Sequence, residues 1–302
     1  MSRRAILNSQ DTIRPKFIIP LKSHKLFLGE RTHIMGIVNA TPDSFSHDGI
    51  FQGIKGQTQK GIDRAILQAQ KLIREGADII DVGGESTRPG AKPISIREEL
   101  NRVIPVIERL AKKIKVPISV DTYKPDVAQQ ALDAGASIVN NIMGTQANKI
   151  LLKMIKNYEA AVVLMHTSGT PQTMQRKTKY NNLIKNIIDS LRKSIENCLE
   201  IGIKSDKIIV DPGIGFGKTA EQNLEIIGEL NHFKILRRPL LMGTSRKSFI
   251  GKILNQDVEE RLIGTIASVC ASILKGAHIV RVHDVKAVKE AVTMTDAMMM
   301  KK

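Results

Sequence analysis

The sequence predicts an α/β fold: a (β/α)8 TIM barrel over residues 33–302, preceded by an N-terminal β-hairpin extension over residues 1–32. Three observations carry this. Eight short β-branched runs alternate strictly with long amphipathic stretches. The runs are continuous and apolar, as strands buried on both faces of a parallel sheet must be. Glycines stand just ahead of several runs, where a helix should stop. A doubly wound open sheet has the same alternation, because strand order cannot be read from a sequence. No Pro/Gly/Ser-rich linker or shift of composition divides the chain.

Ahead of the barrel, Phe17–Ile19 and Leu26–Leu28 are two β-like pieces that suit a hairpin closing the barrel's base. The barrel runs are Ile34–Val38, Asp78–Val82, Pro117–Val120, Ser137–Val139, Ala161–Leu164, Lys207–Val210, Pro239–Met242 and His278–Val280. Between them, Gln57–Glu75, Ile96–Lys113, Asn181–Ile201 and Asp257–Lys275 place apolar residues at three- and four-residue spacing, the stripe of a helix packed on a core. Gly76, Gly135, Gly202 and Gly276 are the expected helix stops. Met298–Met300 reads as the end of the last helix.

A chain of 302 residues, 42% hydrophobic and 25% charged, is that of an ordinary globular protein and excludes a disordered or fibrous one. Its longest clean apolar run, Ala160–Met165, is far too short to cross a bilayer, and Ala5-Ile6-Leu7 is too short for a signal-peptide core. Cys198 and Cys270 cannot make a disulfide framework or a four-ligand zinc site; both read as half-buried helix positions, and a cytoplasmic location is expected. Forty-six basic residues against 30 acidic ones give a net charge of +16. The lysines are scattered over helix-like stretches, and no Trp, three Tyr and seven Phe leave little for bases to stack on. The expected partner is therefore a small anion rather than nucleic acid or membrane.

The active site of such a barrel is built at the C-terminal ends of its strands. Here every strand ends in polar or ionisable residues: Asn39; Gly83-Gly84-Glu85-Ser86-Thr87-Arg88; Asp121; Asn140; Met165-His166; Asp211; Gly243-Thr244-Ser245-Arg246-Lys247; and Arg281-Val282-His283. Taken singly, several have plainer readings. Asp211 before Pro212 is a common turn opener, Arg281 and His283 could be a surface pair, and His166 a loop histidine. Gly217-Lys218-Thr219 is not the end of a phosphate-binding P-loop, because that motif requires glycine where Pro212 stands.

Several longer motifs act together. Met35-Gly36-Ile37-Val38-Asn39-Ala40-Thr41-Pro42-Asp43-Ser44-Phe45-Ser46 closely resembles the opening signature of the dihydropteroate synthases, and Asp81-Val82-Gly83-Gly84-Glu85-Ser86-Thr87-Arg88-Pro89-Gly90 resembles their second. Ser119–Thr122, Asp211–Lys218, Ser245–Lys247 and Arg281–Val285 continue the likeness in order, from about residue 33 to the C-terminus. The resemblance implies a transferase of folate biosynthesis. It joins (7,8-dihydropterin-6-yl)methyl diphosphate to 4-aminobenzoate, giving 7,8-dihydropteroate and pyrophosphate, with Mg2+ as cofactor and a homodimer as assembly.

By that resemblance Asp211 accepts the two donors on the pterin edge, a bidentate pair that a carboxylate makes well. Asn140 and Lys247 complete the edge, Met165 and Phe216 line the pocket, and Gly243 lies beside them. Asp121 supports positive charge on the pterin as diphosphate departs. Asn39, Arg281 and His283 form the pyrophosphate site with Mg2+, Asn39 on the metal. Thr87 and Arg88 close over 4-aminobenzoate, with Ser248 and Lys247 as the remaining wall. Asp121, Lys247 and Arg281 are the expected catalytic residues.

Two positions depart from the family pattern: Ser46-His47-Asp48-Gly49 stands where Ser-Asp-Gly-Gly is usual, and Asn141 follows Asn140 in place of Asp. Two other functions fit part of the pattern. A pterin-binding methyltransferase subunit would share the pterin edge but would not need the Ser86–Pro89 segment or Ser245–Lys247. A catalytically silent pterin-binding homologue has His47 and Asn141 as its only support.

Overall fold

A computed structural model describes residues 14–40, 57–86, 90–144, 148–170, 173–174 and 178–300 of the protein. Two short strands, β1 (Phe17–Pro20) and β2 (Lys25–Leu28), pair antiparallel as the expected hairpin. The barrel strands follow: β3 (His33–Asn39), β4 (Ile79–Gly83), β5 (Ile118–Asp121), β6 (Ile138–Asn141), β7 (Ala161–Met165), β8 (Ile208–Asp211), β9 (Leu241–Met242) and β10 (Ile279–Val282). They pair in parallel in the order β8-β7-β6-β5-β4-β3-β10-β9. A parallel bridge between Val210 and Leu240 joins the two outer strands and closes the ring, so the barrel and not the open sheet is the fold.

Helices α1 (Gln57–Arg74), α2 (Ile96–Ala111), α3 (Pro125–Asp133), α4 (Lys149–Asn157), α5 (Leu183–Ile201) and α6 (Ala220–Gly228) follow β3 to β8 one by one. Two helices, α7 (Ser248–Leu254) and α8 (Leu262–Leu274), follow β9, and α9 (Val285–Met300) follows β10. Their starts are written locally. Ser95, Asn148 and Asn182 accept the backbone N–H of Glu98, Ile150 and Lys185, and Thr219 with Gln222 makes a reciprocal capping box. Gly76, Gly135, Gly202 and Gly276 all hold positive φ, as helix-terminating glycines do. The stretch expected as one helix from Asp257 is broken: Asp257 and Glu260 cap a short 3-10 turn, Val258–Glu260, and α8 begins after it. Helix α9 runs through the methionine run, with Met299 packed inward and Met298 and Met300 exposed.

Alternation along the strands splits the core into two layers. Ile80, Val82, Val120, Val139, Val162, Leu164, Val210, Val280 and Val282 face the helices. Met35, Ile79, Ile138, Ala161, Val163, Ile209, Leu241 and Ile279 fill the barrel interior together with Ile19, Leu21, Leu26 and Leu28 of the hairpin. Each Val, Leu, Ile or Met among them, fully buried, contributes on the order of 1.5–3 kcal/mol. Lys207 Nζ donates to Pro20 O at 2.5 Å, and the His278 ring lies 2.9 Å from Pro15 O, both at the strands' N-terminal ends. The hairpin therefore plugs the bottom of the barrel, leaving the C-terminal ends for the site. Cys198 corrects one expectation. It is fully buried in α5, and burial pushes its thiol up to about 12. Cys270 is half-buried.

Candidate active site

Above the apolar plug, the next inward positions of the strands are polar: Asp81 on β4, Asp121 on β5, Asn140 on β6, Asp211 on β8 and Arg281 on β10. Register sets Asp121 level with Gly83 on one side and Asn140 on the other. Arg281 joins the layer: its Nε donates to Asp81 Oδ2 at 2.6 Å and its Nη2 to Asp121 Oδ2 at 2.7 Å. Asn140 Nδ2 donates to the same Asp81 oxygen at 3.0 Å. The second oxygens of Asp81 and Asp121 are buried with no partner, a costly arrangement that a bound group could relieve. Burial pushes the Asp121 carboxyl up to about 7 against the pull of Arg281. Burial acts to lower Arg281, but Asp81 and Asp121 outweigh it and keep the guanidinium charged.

Asp211 is 6% exposed, and its Oδ1 accepts the Gly213 N–H at 2.7 Å. Burial raises its pKa, opposed first by Lys247. Lys247, the residue before α7, donates from Nζ to Ile214 O and sits 4.8 Å from the Phe216 ring centroid. Burial lowers it to about 8, while Asp211 pulls it back up. Phe216 packs with Met165, Ile142 and Met174 in a small apolar cluster separate from the two barrel layers. A flat apolar wall thus stands beside a buried carboxylate and a lysine, an arrangement suited to a planar heterocycle with a donor edge.

The turn from Asp211 to Lys218 is held closely against β7. A Cβ on Gly213 would lie 1.9 Å from His166 O, and one on Gly217 would lie 1.7 Å from Ser168 Oγ; both glycines also hold positive φ. Lys218 is 4% exposed and donates from Nζ to Gly213 O at 2.8 Å and to Phe216 O at 3.0 Å, with His166 Nδ1 also at 3.0 Å.

The remaining expected residues are placed less centrally. Gly243 follows β9, where an added Cβ would lie 3.7 Å from Lys247 Nζ and 3.9 Å from Arg281 Cβ. His283 pairs through Nδ1 with Ser245 Oγ at 3.0 Å. Asn39 ends β3 half-buried, level with Gly83, and Ser248 is exposed at the start of α7. Thr87, Arg88, His47 and Asp48 lie outside the described residues. Among the described residues, no three carboxylates, imidazoles or thiols are placed to hold a metal ion.

The pterin binding enzyme family matches residues 35–283. A dihydropteroate synthase of Synechocystis is 46% identical over 271 residues, covering 89% of this chain and 91% of that protein. The chain belongs to the dihydropteroate synthases. Among solved members of that family, a Clostridium difficile enzyme crystallised in the presence of pteroic acid is 46% identical with a TM-score of 0.82, over 90% of this chain and 98% of that one. A Xanthomonas albilineans dihydropteroate synthase with 4-aminobenzoic acid is 35% identical with a TM-score of 0.84, over 94% of this chain and 98% of that one.

Within this dihydropteroate synthase framework, Asn141 keeps a local contact, while its Nδ2 is buried with no partner. Its Oδ1 accepts the Met143 N–H at 2.9 Å, so the amide supplies the acceptor that the turn after β6 requires, and a carboxylate would do the same. Sequence reasoning gave Asp81 and Lys218 no role. The alternation Ile79–Asp81–Gly83 contained the signal for the first, since a charge at an inward position of a buried strand demands a partner.

Proposed function

We propose that the protein condenses (7,8-dihydropterin-6-yl)methyl diphosphate with 4-aminobenzoate to form 7,8-dihydropteroate and pyrophosphate. The observation that carries this reading is the buried carboxylate Asp211 between Asn140, Lys247 and the Phe216–Met165 wall, in a chain whose family is shown. In the reaction the methylene carbon–oxygen bond to the diphosphate breaks, a bond from that carbon to the arylamine nitrogen forms, and one amine proton is released.

Asp211 accepts the pterin's ring N–H and amino group, with Asn140 and Lys247 completing the edge. As diphosphate departs, positive charge spreads from the methylene into the pterin, and the Asp121 carboxylate is placed to stabilise it. Arg281 is oriented by Asp81 and Asp121 through Nε and Nη2, leaving Nη1 for a phosphate oxygen. His283 stands two residues on, and Ser245 orients its ring. Thr87, Arg88 and Ser248 complete the 4-aminobenzoate side with Lys247.

Mg2+ fits this donor set as an ion shared with the substrate. It commonly takes one or two protein oxygens and fills its remaining positions with phosphates and water, and Asn39 offers one carbonyl oxygen at the rim. Bound there, it would neutralise charge on the departing diphosphate. A homodimer is part of the same proposal. Helix α8 buries Thr265 and Ser272 while Ile263 and Leu274 stay exposed, the inverse of a solvated helix, and Ile253 and Leu254 of α7 are also exposed. A cytoplasmic location accords with the two free thiols. No described helix is long and apolar enough to cross a membrane.

A coupled assay of pyrophosphate release tests the reading. Release should require both the pterin diphosphate and 4-aminobenzoate, and dihydropteroate should appear in equal amount. Pterin binding without release, at any Mg2+ concentration, would favour the silent homologue.

A further inference from the structure

Lys218 is a buried ammonium outside the expected set, and its surroundings are unusual. Its three contacts are two carbonyl acceptors, Gly213 O and Phe216 O, and the ring nitrogen His166 Nδ1. With the His166 proton on Nε2 there are three acceptors, and they call for three N–H donors, which only the protonated amine has. A charged Lys218 pairs with the neutral His166 tautomer whose proton sits on Nε2. Burial and the Lys218 charge hold that imidazole down at about 3, so it stays neutral at any ordinary pH.

The two carbonyls belong to the turn that presents the pterin site. Gly213 gives its N–H to Asp211 Oδ1 and its carbonyl to Lys218. Phe216 supplies the ring of the apolar wall and its carbonyl to Lys218. The far side of the turn is fixed independently: Gly215 N–H donates to Asn223 Oδ1 at 2.7 Å, and Tyr180 OH donates to Gly217 O at 3.1 Å. Phe216 N–H donates to Gly213 O at 3.2 Å, and among the described residues Lys218 is the side chain that holds both carbonyls of this turn. Asp211, moreover, is a buried carboxylate whose ionised form needs cations nearby, and Lys218 and Lys247 both act on it.

We infer that Lys218 is a positioning residue for the pterin half of the reaction: its ammonium sets the Gly213–Phe216 turn and, with Lys247, balances the Asp211 charge so that the carboxylate meets the pterin edge ionised. This rests on the pterin reading above. It adds a residue that would touch no substrate atom.

A pH dependence follows. The groups facing Lys218 are His166 from the end of β7, Asp211 from β8, Lys247 from the start of α7 and the Tyr180 hydroxyl from the segment before α5. Burial lowers Lys218 to about 7, with Asp211 pulling it up and Lys247 pushing it down. Lys247 is the other group here that titrates near neutrality, at about 8. Pterin affinity should therefore fall as pH rises through this range and Lys218 loses its proton.

The test is titration of a phosphate-free 6-hydroxymethylpterin by calorimetry from pH 6 to 9, with steady-state kinetics, on the wild-type protein, Lys218→Met and Lys218→Arg. Lys218→Met should weaken pterin binding at least tenfold at pH 6.5 and raise KM for the pterin diphosphate, with KM for 4-aminobenzoate within about twofold. Its affinity should change less between pH 6 and 9 than the wild type's. Lys218→Arg, which keeps its charge throughout, should recover part of the affinity and flatten the same pH slope. If either variant fails to fold, the slope in the wild type and the other variant still decide. Wild-type binding that is level across this range overturns the inference, as does a Lys218→Met protein with wild-type affinity. A wild-type protein that binds no pterin overturns the underlying functional reading instead.

Discussion

The Nε of Arg281 lies 2.6 Å from Oδ2 of Asp81, a carboxylate 200 residues earlier and fully buried on a strand not adjacent to its own. The second guanidinium contact, to Asp121, makes Arg281 the common partner of two acids. Removing it leaves both carboxylates buried without a cation, Asp81 keeping only the Asn140 amide, and stranding a buried charge typically costs about 3–5 kcal/mol. Arg281→Met should accordingly lower stability by that order in urea unfolding, and Asp81→Asn in the same chain should restore part of it. If Arg281→Met unfolds like the wild type while losing pyrophosphate affinity, the residue is an anion ligand alone.

A second buried network joins Glu85, Ile94, Glu99 and Lys124. Lys124 Nζ donates to Glu85 and Glu99 at 2.6 Å each and to Ile94 O at 2.7 Å, while Tyr123 OH donates to Glu85 at 2.9 Å. Glu99 is 1% exposed, so Lys124→Met strands two acids where water cannot reach them. A loss of about 3 kcal/mol or more is expected. The triple change that also makes Glu85→Gln and Glu99→Gln should be less damaging than Lys124→Met alone.

Stability should also fall on acidification through His278. Its Nδ1 accepts the Leu240 N–H at 3.1 Å and its Nε2 faces Pro15 O, so the folded state holds it neutral. Burial lowers its pKa to about 4. A base depressed by folding binds fewer protons in the native state. Its share of stability is whole above the unfolded value near ~6.5 and is lost as pH falls from there towards 4, on the order of 3 kcal/mol in all. His278→Gln, which can still accept and donate, should show a shallower fall in urea midpoint between pH 7 and 4. An unchanged slope would place the acid sensitivity elsewhere.

The exposed apolar side of α8 bears on assembly. Ile263→Glu combined with Leu274→Glu should convert a dimer to a monomer in sedimentation velocity, with the monomer's circular dichroism unchanged. A wild-type protein already monomeric at micromolar concentration would remove the proposed dimer.

The parallel strands were legible because burial on both faces leaves continuous apolar runs such as Ile34–Val38 and Ala161–Leu164, whereas closure into a barrel needed the Val210–Leu240 bridge of the structure. The hairpin plug was legible from the two short β-like pieces Phe17–Ile19 and Leu26–Leu28 ahead of the barrel. The break before α8 was not, since Asp257 and Glu260 make a local cap inside an otherwise helical pattern. At the site, motif resemblance brought forward Asp211, Asn140, Lys247 and Arg281; the structure places Asp211, Asn140 and Arg281 in one layer of strand ends and Lys247 just before α7. What it could not supply was who holds whom. Asp81 and Arg281 are far apart in sequence, and the partners of Lys218 are mostly backbone carbonyls, which a sequence does not distinguish.

The most direct measurement of the central claim is calorimetric titration of a phosphate-free pterin into the wild-type protein and Asp211→Asn. The amide puts donors where the pterin edge also has donors, and each charge-assisted bond lost removes about 1.5–3 kcal/mol. The account predicts measurable binding to the wild type and none detectable to Asp211→Asn, with the circular dichroism of the two alike. Equal affinity in the two proteins would contradict it.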